Sequence, residues 1–185
     1  MKLLVLVGSN QANSINRQLA DYAASLSGYD YTVIDMLRFD ETPLYSSQRQ
    51  QSQGFPAEIQ ELYAQIRQHD ALIIASPEHN GSIPAVFKNV IDWLSRLQMK
   101  FLGNKPVLLM STSPGANGGK TNLAHMAQLL PWWGAASIQT YSLGGFYQVF
   151  DAEAQSLQQP EASELKSKVL ELNAQMSGIV KLKSA

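Results

Sequence analysis

Three short stretches hold more polar and glycine residues than a chain connection needs. The first is "GSNQANSIN", Gly8 to Asn16, set between an apolar run and a helical period. Ser14 can cap a helix that begins at Ile15, which accounts for one hydroxyl. Ser9, Asn10, Gln11, Asn13 and Asn16 exceed that need. Small polar side chains and backbone N–H groups ahead of a helix N-terminus form an anion site suited to phosphate. The plainer reading is a solvated loop with one cap. Gly8 is the only glycine in the stretch, so it is not the G-x-G-x-x-G turn of dinucleotide-binding chains.

The second stretch is "SPEHNGSIP", Ser76 to Pro84. Ser82 followed by Pro84 reads as an N-cap and an early-turn proline, and Asn80-Gly81 as a tight turn. Pro77, Glu78 and His79 are left over. A rigid turn here presents backbone N–H and C=O groups in a fixed array, able to read the heteroatom edge of a flat ring. The third stretch, "STSPGANGGKT", Ser111 to Thr121, nearly spells a P-loop. That motif needs four residues between its first glycine and Gly-Lys-Ser/Thr, and Pro114 stands where the glycine belongs. A nucleotide triphosphatase is rejected. What remains is a glycine-rich loop that lets a ligand come close to backbone.

The elements that must position these loops alternate. Leu3–Val7, Ala71–Ala75 and Val107–Met110 are short continuous apolar runs, the pattern of parallel strands buried on both faces. Tyr31–Ile34 and Ser137–Tyr141 are weaker and predict edge strands. Helical periods separate them: Ile15 to Leu26, Ile59 to Ile66, Val86 to Leu97, Leu123 to Leu130 with Gly134 as its C-terminal stop, and Leu165 to Ile179. Five β-α units predict an α/β three-layer sandwich, a single flavodoxin-like domain over residues 1–185 with strand order 2-1-3-4-5. The polar segment from Asp35 to Phe55 predicts an exposed or mobile loop.

Composition removes other chemistries. The 185 residues are 45% apolar and 16% charged, with net charge −1 and no cysteine. Thiolate catalysis, iron–sulfur clusters and cysteine zinc sites are therefore excluded. His69, His79 and His125 lack metal-ligand spacing. No basic patch points to nucleic acid, and the apolar run at Leu3–Val7 is too short to span a membrane. A soluble, cytoplasmic protein is the expectation.

In an open parallel sheet all three loops emerge at the carboxyl edge, where ligands bind at the reversal of strand order. Their convergence predicts one elongated ligand with a phosphate at one end, most naturally FMN.

These stretches resemble the NADPH-dependent FMN reductase family, whose patterns "GSxRxxSxN", "SPEYNGSIPGxLKNxIDW" and "SxSxGxxGG" align with Gly8–Asn16, Ser76–Trp93 and Ser111–Gly119. The resemblance implies FMN as cofactor and NADPH or NADH as electron donor, with a quinone-like small molecule as acceptor. It implies that Ser9, Gln11, Ser14, Ile15 and Asn16 hold the phosphate. Pro77, Glu78, His79, Asn80 and Gly81 would lie along the flavin ring, and Ser113, Gly115 and Gly118 would close over it. It implies a homodimer or homotetramer, for which Trp132, Trp133, Phe146 and Phe150 are candidate interface residues, core packing being the expectation for most of them. No catalytic side chain is assigned. Two departures from the pattern matter: Gln11 replaces an arginine and His79 a tyrosine. Loss of a charge-assisted phosphate contact is worth about 1.5–3 kcal/mol, so weakened FMN binding is expected. The alternative function is a flavin-binding or electron-transfer module without turnover.

Overall fold

The computed structural model describes residues 1–183. Five parallel strands, β1 (Lys2–Val7), β2 (Asp30–Asp35), β3 (Ala71–Ala75), β4 (Lys105–Thr112) and β5 (Ala135–Leu143), form one sheet in the order β2-β1-β3-β4-β5. This is the expected flavodoxin-like order. The chain runs outward from β1 to β2, then restarts at β3 on the other side of β1, where Val7 stands in register with Ala75.

Alternation along the strands explains the three layers. Leu4, Leu6, Leu72, Ile74, Val107 and Leu109 face one core. That core is closed by α3 (Ala57–Gln68), α4 (Ala85–Leu97) and α5 (Lys120–Leu129). Leu3, Val5, Val7, Ile73, Leu108 and Met110 face the other. It is covered by α1 (Ile15–Ser25) and the long α7 (Glu161–Lys183), through Leu165, Val169, Leu172 and Met176. The predicted packing of Ile179 concerns a side chain outside the described residues.

Several expectations are corrected. The segment from Asp35 to Phe55 is not a free loop. It contains a 3-10 turn at Met36–Phe39 and the helix α2 (Ser47–Gln53). Met36 and Phe39 are fully buried, and α4 grips the chain beyond them. Asn89 Nδ2 donates to the carbonyls of Thr42 and Pro43, both at 3.2 Å, and Trp93 Nε1 donates to Pro43 O at 2.8 Å. Ser82 does not cap α4; Pro84 holds the capping position and Ser82 pairs with His79 instead. Gly134 is not the terminator of α5, which ends at Leu129. It turns the chain into β5 with φ +90, packed so tightly that a Cβ there would meet Lys100 Cβ at 2.8 Å. After β5 come α6 (Phe146–Val149) and a small antiparallel pair, β6 (Phe150–Asp151) and β7 (Ser156–Leu157), none of which the periodicity announced. Trp133, Phe146 and Phe150 lie in the cores, whereas Trp132 is 74% exposed.

Candidate functional site at the carboxyl edge of the sheet

The connection after β1 starts with a close approach. Gly8 N–H donates to Ala75 O at 2.7 Å, and a Cβ on Gly8 would meet the buried Phe87 ring at 2.5 Å. Glycine is needed there for packing against α4, not for contact with a ligand. The chain then rises to α1. Ser14 holds the capping position, yet its hydroxyl makes no capping hydrogen bond although the residue is almost fully buried. Gln18 is the first residue whose N–H finds a carbonyl, Ser14 O at 3.1 Å, so the N–H groups of Ile15 and Asn16 have no helical acceptor.

The connection after β3 is a miniature hairpin. His79 and Ser82 exchange two backbone hydrogen bonds at 2.9 and 3.0 Å. Asn80 and Gly81 both take positive φ, +52 and +74, the geometry for which Asn-Gly is the preferred pair. The base of the hairpin is bolted to α5. Asn122 Nδ2 donates to Pro77 O at 2.9 Å and to Ser76 Oγ at 3.0 Å. In return Glu78 Oε2 accepts the Asn122 N–H at 3.0 Å, near the α5 N-terminus, where a carboxylate also complements the helix dipole.

The connection after β4 is folded on itself through Ser113. Its hydroxyl donates to Gly115 O at 2.8 Å and accepts the Gly118 N–H at 2.9 Å. Gly118 lies beneath the end of β5, where a Cβ would meet Ser142 Oγ at 2.5 Å.

The three connections enclose a cleft of about 280 Å³ lined by Ser9, Gln11, Asn13, Ser14, Ile15, Asn16, Pro77, Glu78, His79, Thr112, Ser113, Pro114 and Tyr147. It lies over the carboxyl ends of β1, β3 and β4. Four residues expected at a ligand do not line it. Asn80 and Gly81 form the exposed hairpin tip, Gly115 borders a neighbouring hollow of about 390 Å³, and Gly118 is buried under β5. Asn16 lines the cleft, but its amide bonds to Thr112, so only its backbone N–H is free for a ligand. Thr112, Pro114 and Tyr147 were not anticipated. The signal for Tyr147 was available, because the connection after β5 opens on the same edge and carries Gly144-Gly145 ahead of two aromatics. A further hollow of about 310 Å³, between Lys2, Asp30, Tyr31 and His69, lies at the opposite edge, away from all three loops.

Fold and cleft together define a flavodoxin-like α/β protein with unpaired helix N–H groups at its switch point. Comparison with known proteins gives the family. A model of the NADPH-dependent FMN reductase family matches residues 1–148. A quinone reductase of Escherichia coli (strain K12) is 38% identical over 130 residues, covering 70% of this chain and 69% of that one. A 2-hydroxy-1,4-benzoquinone reductase of a Burkholderia species is 37% identical over 127 residues, covering 68% of each. Among solved structures, the flavoenzyme NAD(P)H:(acceptor) oxidoreductase of Paracoccus denitrificans superposes with a TM-score of 0.79 at 23% identity, over 96% of this chain and 97% of that one. The chain belongs to the NADPH-dependent FMN reductase family, a family of oxidoreductases that use FMN and NAD(P)H.

The donors in the cleft fit FMN. The unpaired N–H groups at the start of α1, the free Ser14 hydroxyl and the amides of Gln11 and Asn13 suit a phosphate, and the prolines and His79 offer flat faces to a ring. No lysine or arginine lines the cleft, so charge neutralisation falls to the α1 N-terminus alone. Among the described residues no cluster of His, Asp or Glu can hold a metal, and no helix is long and apolar enough to cross a membrane.

Proposed function

We propose that this protein reduces a quinone-like acceptor with NAD(P)H through FMN held in the carboxyl-edge cleft. The net reaction converts NAD(P)H, a proton and a quinone to NAD(P)⁺ and a hydroquinone. FMN when bound supplies hydride acceptance and two-electron delivery; the protein supplies position and environment. The observation that carries the reading is the convergence of the connections after β1, β3 and β4 on one cleft at the switch point, with unpaired N–H groups at one end.

Within this reading Ser9, Gln11, Asn13, Ser14 and the N–H groups of Ile15 and Asn16 hold the phosphate. Pro77, the Glu78 N–H and His79 orient the ring, and Ser113 shapes the loop that covers it. The role of Glu78 itself is indirect, since its carboxylate fixes the hairpin to α5. A quinone acceptor is supported by the relatives named as quinone and benzoquinone reductases. The assembly is proposed to be a homodimer or homotetramer in the cytoplasm, with exposed Trp132 and Met99 available for subunit contact.

Titration of the purified protein with FMN, read by flavin fluorescence, tests the cofactor site; no change at tens of micromolar FMN overturns it. Nicotinamide oxidation that needs both FMN and a quinone tests the reaction. Light scattering reports the assembly.

A further inference from the structure

The cleft holds one large side chain that folding does not explain. Tyr147 is 71% exposed, although an aromatic ring of its size is normally buried or covered. It is not on a loose loop. Gly145 N–H donates to Gly115 O at 2.9 Å and Phe146 N–H to Ser113 O at 3.1 Å, which fastens the start of α6 to the loop after β4. Phe146 is fully buried and stacks on Phe150 with centroids 4.6 Å apart. Tyr147 forms a T-shaped pair with Phe146, centroids 5.6 Å apart, and most of its ring is left exposed in the lining of the cleft. Gly144 permits this arrangement, since a Cβ there would strike Ala116 O at 2.5 Å. A short, firmly anchored helix thus adds an exposed aromatic ring to a lining that also includes Pro77, His79 and Pro114.

The charge of the cleft narrows what that ring is for. Its lining includes one carboxylate, Glu78, and no lysine or arginine. An anionic acceptor would bring like charge toward Glu78 with no side-chain cation to offset it. A neutral flat ring meets no such penalty and gains stacking contact.

We propose that Tyr147 is a specificity-determining residue, the stacking wall that selects neutral planar aromatic acceptors. This rests on the reading of the cleft as an FMN site. Aromatic pairing adds enough to shift a dissociation constant about two- to twelvefold.

The test uses oxidised, FMN-loaded protein without nicotinamide, titrated by calorimetry with 1,4-naphthoquinone and with its 2-sulfonate. The wild-type chain is expected to bind the neutral quinone more tightly than the sulfonate. Tyr147→Ala is expected to weaken the neutral quinone by that factor, and Tyr147→Phe to stay within about twofold of wild type because it keeps the ring. FMN affinity, read separately by flavin fluorescence, is expected to differ little among the three chains. In turnover the Ala variant should show the change in KM for the quinone and not in kcat. Unchanged quinone affinity in Tyr147→Ala overturns the proposal. A parallel loss of FMN affinity overturns it by assigning Tyr147 to the flavin, and a smaller assembly mass overturns it by assigning Tyr147 to a subunit contact. Preference for the sulfonate overturns the choice of neutral acceptors. If the wild-type chain binds no FMN, the underlying reading falls and this proposal with it, and the flavin titration identifies that case.

Discussion

Asn16 and Thr112 exchange two hydrogen bonds: Asn16 Nδ2 donates to Thr112 O at 3.1 Å, and Thr112 N–H donates to Asn16 Oδ1 at 3.0 Å. Both residues are nearly fully buried. A side chain at the start of α1 therefore completes the hydrogen bonding of β4 where that strand ends, and the connection after β1 is locked to the connection after β4. The cleft has its shape because these loops cannot move apart without breaking that pair.

Asn16→Ala should consequently be a stability variant before it is a binding variant. It leaves a buried N–H and a buried C=O of Thr112 unpaired, at a cost of about 2–4 kcal/mol. Urea unfolding should show that loss. FMN binding, measured well below the lowered unfolding midpoint, should weaken because Thr112 and Ser113 line the cleft. A variant as stable as wild type would show that the exchange contributes little.

Glu78 predicts a milder pattern. Its carboxylate accepts the Asn122 N–H at 3.0 Å and lies 3.4 Å from Asn117 Nδ2, acting as a cap for α5 borrowed from another loop. Loss of a helix cap costs about 0.5–2 kcal/mol, and Glu78→Ala should fall in that range. Glu78→Gln keeps an acceptor oxygen and should recover part of the loss while giving up the favourable interaction with the helix dipole. Thermal denaturation of the three chains orders them wild type, Gln, Ala. Equal melting of Gln and Ala variants would rule out the hydrogen bond as the source.

How much of this was legible in the sequence depends on what each residue faces. β1, β3 and β4 have both faces buried, so continuous apolar runs such as Leu3–Val7 identify them without a structure. Right-handed crossovers leave few orders for five such units, of which 2-1-3-4-5 is the leading one. The turn at Met36–Phe39 was not legible, because two apolar residues three apart have no period to measure. The polar α2 was hidden for the opposite reason: it buries none of its residues, and its entry is marked only by the Ser46 hydroxyl accepting the Arg49 N–H. In the site, residue types located the loops that meet at the cleft but not their side-chain commitments. Nothing in "GSNQANSIN" states that Asn16 turns to Thr112 while the Ser14 hydroxyl stays unbonded, because a partner ninety-six positions away is fixed only by the packed fold. That the Glu78 carboxylate bonds to Asn122 was hidden for the same reason, since the bond joins a loop to a helix that only the sheet brings together.

Tyr141 predicts a dependence on pH outside the site. It is 2% exposed, and its hydroxyl donates to Glu161 O at 3.2 Å. Burial, reinforced by the negative charge of Glu164 and Glu161, pushes its ionisation well above the ordinary tyrosine value of 10. The folded chain therefore keeps this proton at a pH where the unfolded chain has released it. Stability from this group is complete below about pH 10 and declines above it, at up to about 1.4 kcal/mol per pH unit. Tyr141→Phe loses one hydrogen bond and should be less stable by about 0.5–1.5 kcal/mol at neutral pH. Its disadvantage should shrink as pH rises past 10. Urea midpoints for both chains across that range provide the check, and a constant gap would show that Tyr141 ionises alike in both states.

Gln11 predicts how the phosphate end of the cleft can be strengthened. The acceptors of a bound phosphate would meet helix N–H groups, hydroxyls and amides, but no lysine or arginine. Neutral donors at a helix N-terminus stabilise an anion, and a guanidinium adds a charge-assisted, potentially bidentate contact. Gln11→Arg should therefore tighten FMN by about ten- to a hundredfold, which corresponds to the 1.5–3 kcal/mol of such a contact. Riboflavin has the same ring and no phosphate, so its affinity should change little. Salt supplies a second check: FMN binding to the Arg variant should weaken with rising ionic strength more steeply than binding to the native chain. Equal gains for FMN and riboflavin would locate residue 11 at the ring and not at the phosphate. No gain for either would remove the turn between Gly8 and Asn16 from the cofactor site.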